Sequence, residues 1–293
     1  MPTLDALRHT LAVIEALRSI VHTMRALAAA SIRQYDQAVT ALTDYDSAVR
    51  RGLAVVLGEP HHPAVTAIFA PATREPPLTG ALVFGSDHGL CGRFNEALAA
   101  YVRETLPPGS RVAAVGARLA AALEEQGWPP EQQFPMPDTA SAIHHTVQRL
   151  LPVLEQWRML GVTEVRLFHN RHRGGSGHEP TGLALLPLDL AALQYQPLTP
   201  SHSLPGYAAD RVDLLALLLQ EWFFVQLFRA CAESLASECA SRLLAMQAAE
   251  RNITDRLAEL NAVYRQQRQE AITTELLDVM AGFEALTGSR QRN

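Results

Sequence analysis

The stretch SDHGLCGRFN, residues 86–95, puts Asp87, His88 and Cys91 close together at the end of the apolar run 80–85. Those residue types could do nucleophilic chemistry. Cys91 would attack as a thiolate, His88 would take its proton, and Asp87 would orient the imidazole. The spacing argues against it, because neighbours at i and i+1 do not aim their side chains at one another on a tight turn. A structural reading uses the same residues better. Gly85, Gly89 and Gly92 permit a sharp strand-to-helix turn, Asp87 caps backbone amides, and Leu90 packs down. Asp87, Gly89, Leu90, Cys91 and Gly92 are therefore expected to form a structural turn, with no catalytic residue among them.

Other candidates weigh less. The segment 169–178, HNRHRGGSGH, could cradle phosphate with its cations over a glycine-rich nest. It lacks the fixed spacing of a dinucleotide or P-loop fingerprint and precedes no helix, so a solvated hairpin loop is expected. His61-His62 and His144-His145 are adjacent rather than i,i+4, which makes poor metal ligands, and no metal site is expected. Cys91, Cys231 and Cys239 form neither a disulfide framework nor a zinc motif. The chain has no lysine, so all 25 of its cationic Lys/Arg positions are arginine. A Walker P-loop and Schiff-base chemistry both need that amine and are excluded. A net charge of −5 argues against a nucleic-acid partner.

The elements that must position these residues fall into three parts: 1–58, 59–206 and 207–293. From Leu4 to about Leu57 there is no proline, and Leu4, Leu7, Leu11, Ile14, Leu17, Val21, Met24 and Leu27 alternate by threes and fours. That is one long helix. The middle part is rich in proline and alternates short apolar runs with helical patterns. Strands are expected at 65–70, 81–84, 112–115, 164–169 and 183–188, and helices at 94–105, 117–126 and 140–160. This is an α/β layer with a largely parallel, Rossmann-like sheet. From about Tyr207 to Leu286 proline is absent again, and a second long helix follows. Its seam runs Leu243, Met246, Ile253, Leu257, Leu260 and Tyr264, fades at 266–270, and resumes at Ile272, Leu276, Val279, Phe283 and Leu286. A narrow stripe with charged flanks is a coiled-coil seam. The expected fold is therefore α/β plus a long antiparallel α-helical coiled coil. Its N- and C-terminal helices flank the insert, and the exposed end of the longer helix sits in a partner. No signal sequence and no uninterrupted membrane-spanning run are read from the sequence. The arginines Arg8, Arg18, Arg25, Arg33, Arg251, Arg265 and Arg268 suit either a solvated face or contact with acidic partner loops.

Over essentially its full length the chain resembles the gamma subunit of F-type ATP synthases, in a divergent bacterial form. The resemblance is carried by ASRLLAM at 240–246, NAVYRQQRQEAITTEL at 261–276, the turn at 86–95 and MRALAAAS at 24–31. It implies a central-stalk rotor shaft with no catalysis and no cofactor of its own. The implied partners are the alpha and beta subunits of the catalytic hexamer, the epsilon subunit and the membrane rotor c-ring. Localisation would be peripheral, at the cytoplasmic face of the bacterial inner membrane, in a complex coupled to protons or sodium. The matching positions make Arg268, Gln269 and Thr273 contacts to the hexamer, with Met24 and Arg25 in the opposing stretch. His88 and Arg93 depart from the family's usual Arg and Gly. Two other readings stand beside it. One is a cysteine-dependent hydrolase with helical arms, which requires a reactive Cys91; the other is a free-standing coiled-coil adaptor.

Overall fold

A computed structural model describes residues 3–58, 78–172, 177–188 and 206–290 of the chain. Two compact units result, one of Met1–Leu27 with Ala245–Asn293, the other of Ala28–Leu244. Two helices contribute to both: α1 (Leu4–Gly58) and α5 (Arg211–Arg290). At 1.5 Å per residue they are roughly 80 and 120 Å long.

In the larger unit a sheet of five strands has the order β3-β2-β1-β4-β5. β1 (Leu78–Phe84) lies parallel to β2 (Arg111–Val115) and to β4 (Val162–His172), and β2 lies parallel to β3 (Gln132–Phe134). β5 (His178–Leu186) turns back antiparallel on β4. Between the strands run α2 (Phe94–Thr105), α3 (Ala117–Glu125) and α4 (Ile143–Met159). The strands alternate their side chains between two cores. Ala81 and Val83 face α2 and α3 with Leu98, Val102, Leu119 and Leu123. Leu82 and Phe84 face the other way, onto Trp157, Val147 and Leu150 of α4 and onto Leu53 and Leu235 of the long helices.

Several expectations are revised in detail. The segment 169–178 is largely strand: His169–His172 finish β4 and His178 opens β5, while 173–176 lie outside the described residues. The strand expected at 65–70, and His61-His62, also lie outside them. α5 begins at Arg211 rather than near Tyr207. Asp210 sets that start, since its Oδ1 accepts the amides of Val212 (2.8 Å) and Asp213 (3.3 Å). β3, too short for a periodicity signal, was not anticipated.

α5 carries one window long and apolar enough by composition to cross a membrane. In the same helix Leu215, Leu219, Trp222 and Leu227 are spent on the buried core.

Candidate functional site

The turn after β1 is held by backbone-directed hydrogen bonds. Ser86 N donates to Asn95 Oδ1 (3.0 Å), and Asn95 Nδ2 donates back to Ser86 Oγ (2.8 Å). Asp87 accepts the amide of Ala117, which opens α3, at 2.7 Å and that of Met136 at 2.8 Å. A carboxylate here satisfies donors from two other segments, with no hydrogen bond to the His88 ring among the described residues. Cys91 is buried, its Sγ 3.9 Å from Ser86 Oγ and 3.7 Å from the His88 carbonyl oxygen rather than the ring. Burial pushes its thiol up, away from the thiolate a nucleophile needs. The acid–histidine–thiol arrangement does not exist.

Two details of the turn correct the expectation. Leu90 does not pack down: it is 60% exposed and sits at φ 63°. Of the three glycines only Gly92, at φ 67°, needs left-handed backbone; Gly85 is instead required for space against Leu119 and Asn95.

Polar contacts tie this end of the sheet to α5. His169 Nε2 lies 2.9 Å from Glu233 Oε2, with Arg171 Nε 3.2 Å from the same oxygen. Burial works to raise the Glu233 carboxyl, but His169 and Arg171 outweigh it and hold the group below its ordinary value. Ser234 Oγ donates to the Phe84 carbonyl at 2.9 Å. Arg242 pairs with Glu238 one turn away and donates to the Gly89 carbonyl at 3.4 Å. Burial raises the Glu238 carboxyl despite that pairing. The i,i+4 spacing of Glu238 and Arg242 was legible in the sequence; their reach to the turn was not. Among the described residues no group of three or more His, Cys, Asp or Glu is placed to hold a metal ion.

The residues expected to touch partners lie in the smaller unit. There α1 and α5 run antiparallel, with Arg8 against Tyr264 (3.2 Å) and Arg25 against Glu250. Leu7, Met246, Leu257 and Leu260 are buried between them. Pairing of residue 8 with 264 leaves little of α1 to oppose anything past about 270. Residues 268–281 are accordingly exposed throughout, including Arg268, Gln269 and Thr273. Ile272, Leu276 and Val279, expected to resume the seam, are 54%, 59% and 68% exposed. Among the described side chains the buried seam ends near Tyr264, and Phe283 and Leu286 lie outside them. Thr273 Oγ1 donates to its own helix at the Gln269 carbonyl. Met24 and Arg25 are half-buried and sit opposite Glu250, which is 18 residues, about 27 Å, from Arg268 along α5. The two expected contact groups are thus separate.

A profile of the ATP synthase family matches residues 3–286. The chain belongs to the ATP synthase gamma family. The gamma chain of Rhizorhabdus wittichii is 30% identical over 98% of this chain and the whole of its own length. That of Rhizobium rhizogenes is 27% identical with the same coverage. The fold is that of a solved Euglena gracilis mitochondrial ATP synthase chain in an OSCP/F1/c-ring assembly. The TM-score is 0.66 and the identity 18%, covering 98% of this chain and 95% of that one. As a gamma chain it is a non-catalytic subunit, the central stalk of an F-type ATP synthase. The hydrolase and free-standing adaptor readings fall with that assignment.

Proposed function

We propose that this gamma chain is the rotor shaft that carries torque between an ion-driven membrane rotor and a catalytic hexamer. It thereby couples proton or sodium transport to ATP synthesis or hydrolysis. The observation that carries the reading is the bare end of α5. From Arg268 to Ala281 every side chain of the helix is exposed, Ile272, Leu276, Leu277, Val279 and Met280 among them. An apolar stripe on an exposed helix calls for a sheath supplied by other chains. Arg268, Gln269 and Thr273 lie at the start of that stretch and are the contacts to the alpha and beta subunits. Met24 and Arg25 form a second contact lower on the shaft. The epsilon subunit and the membrane c-ring bind the α/β unit. The shaft binds no cofactor and works at the cytoplasmic face of the bacterial inner membrane. Its asymmetry biases each catalytic subunit between states in turn.

Affinity purification of the tagged chain tests this. It should bring down two nucleotide-binding subunits of near-equal size. Recovery of a lone homodimer would refute it.

A further inference from the structure

In open sheets with parallel strands, ligands occupy the crevice beyond the carboxyl ends of the strands, where the strand order reverses. In this chain the reversal falls between β1 and β4. Phe84 and His169 end up opposite one another there, as paired residues of neighbouring strands. The crevice is filled by α5. Two consecutive α5 residues address that one strand pair: Glu233 bonds His169 at 2.9 Å and Ser234 bonds the Phe84 carbonyl at 2.9 Å. Two turns further, Arg242, paired with Glu238 on its own helix, donates to the Gly89 carbonyl in the turn beyond β1 at 3.4 Å.

The apolar part of this contact alternates small side chains, Ala230, Ala232, Ala236 and Ala240, with the buried Leu227 and Leu235. Such apolar contact is non-directional and sets register only through the fit of its shapes. Hydrogen bonds to fixed carbonyls set it directly, because they demand one distance and one angle.

We infer that Ser234 and Arg242, the latter held by Glu238, are positioning residues that key α5 into the ligand crevice of the sheet, fixing its axial and rotational register. The helix stands where a doubly wound fold would take a ligand. The inference rests on the torque reading above and adds where the α/β unit grips the shaft. A loosened key lets the helix turn without the sheet. Torque then leaks while catalysis on the partner subunits continues.

The test uses the assembled complex in proteoliposomes, reading the ratio of gradient-driven ATP synthesis to ATP hydrolysis. Arg242→Ala should lower that ratio several-fold with hydrolysis and subunit composition retained, and Arg242→Lys should recover part of it. A fold or assembly defect would lower both rates together and leave the ratio alone. Where Arg242→Ala does not assemble, Ser234→Ala, which strands no buried charge, should show the same change in smaller degree. An unchanged ratio in an assembled variant overturns the inference. Failure of the wild-type chain to assemble with nucleotide-binding subunits refutes instead the torque reading, and this inference with it.

Discussion

Asp46 and Arg229 are 183 residues apart in sequence, yet the Arg229 Nη2 lies 2.8 Å from Asp46 Oδ2. Arg50, one turn along α1, adds a second guanidinium 3.0 Å from the same carboxylate. Asp46 is buried and has both arginines as charge partners. Asp46→Ala strands two cations that are each about a quarter exposed. The expected loss is about 2 kcal/mol, below the range for fully buried pairs. Urea unfolding of the isolated chain checks it, and a change near zero would mean the arginines simply turn to water.

Gly80 has no room for a methyl group. A Cβ there would lie 2.5 Å from Trp157 Cε3, and Trp157 is itself fully buried. Gly80→Ala should therefore destabilise by about 2 kcal/mol. Adding Trp157→Leu should make the double variant lose less than the sum of the singles. Strict additivity would show that the two positions do not press on each other. Gly116→Ala should be worse: at φ 117° its Cβ would meet the Ser86 backbone at 2.7 Å, and neither side can yield.

The thiols of Cys91, Cys231 and Cys239 are all buried and all pushed up by burial, Cys239 to about 11. Iodoacetamide at neutral pH should leave the native chain unmodified and label all three positions after denaturation. Rapid labelling of Cys91 in the native chain would reopen the nucleophile reading.

The Glu233 carboxyl is held below its ordinary value of 4.5. A depressed carboxyl contributes stability that is present above the unfolded value and is lost as pH falls through the folded one. Melting temperatures of the wild type and Glu233→Gln should differ at pH 6 to 7, and the gap should narrow as pH falls below 4.5. A gap that stays constant across that range would assign the effect to packing rather than charge.

How much of this was legible depended on the length over which a pattern runs. The proline-free stretches with apolar residues at steps of three and four sufficed for α1 and α5, because a periodic signal accumulates over many turns. The alternating middle gave the parallel sheet and most of its helices. The limit of the seam was partly visible as the polar run at 266–270. Yet the exposure of Ile272 and Leu276 was not, since it follows from where α1 starts and not from their own type. Leu90 misled for a local reason: an apolar residue is expected to pack, and nothing in its type signals left-handed backbone. The contacts of Glu233 and Ser234 with β4 and β1 join segments 64 and 150 residues apart, a relation no local window contains.

On the proposed function this chain turns inside a catalytic hexamer. The three native cysteines are buried, so one introduced on the exposed face of α2, Glu104→Cys, gives a single reactive handle for a probe. With the hexamer immobilised and ATP supplied, the probe should rotate stepwise in one direction, and Arg268→Ala in the same chain should weaken the torque. A probe that stays fixed while the complex hydrolyses ATP would contradict the account.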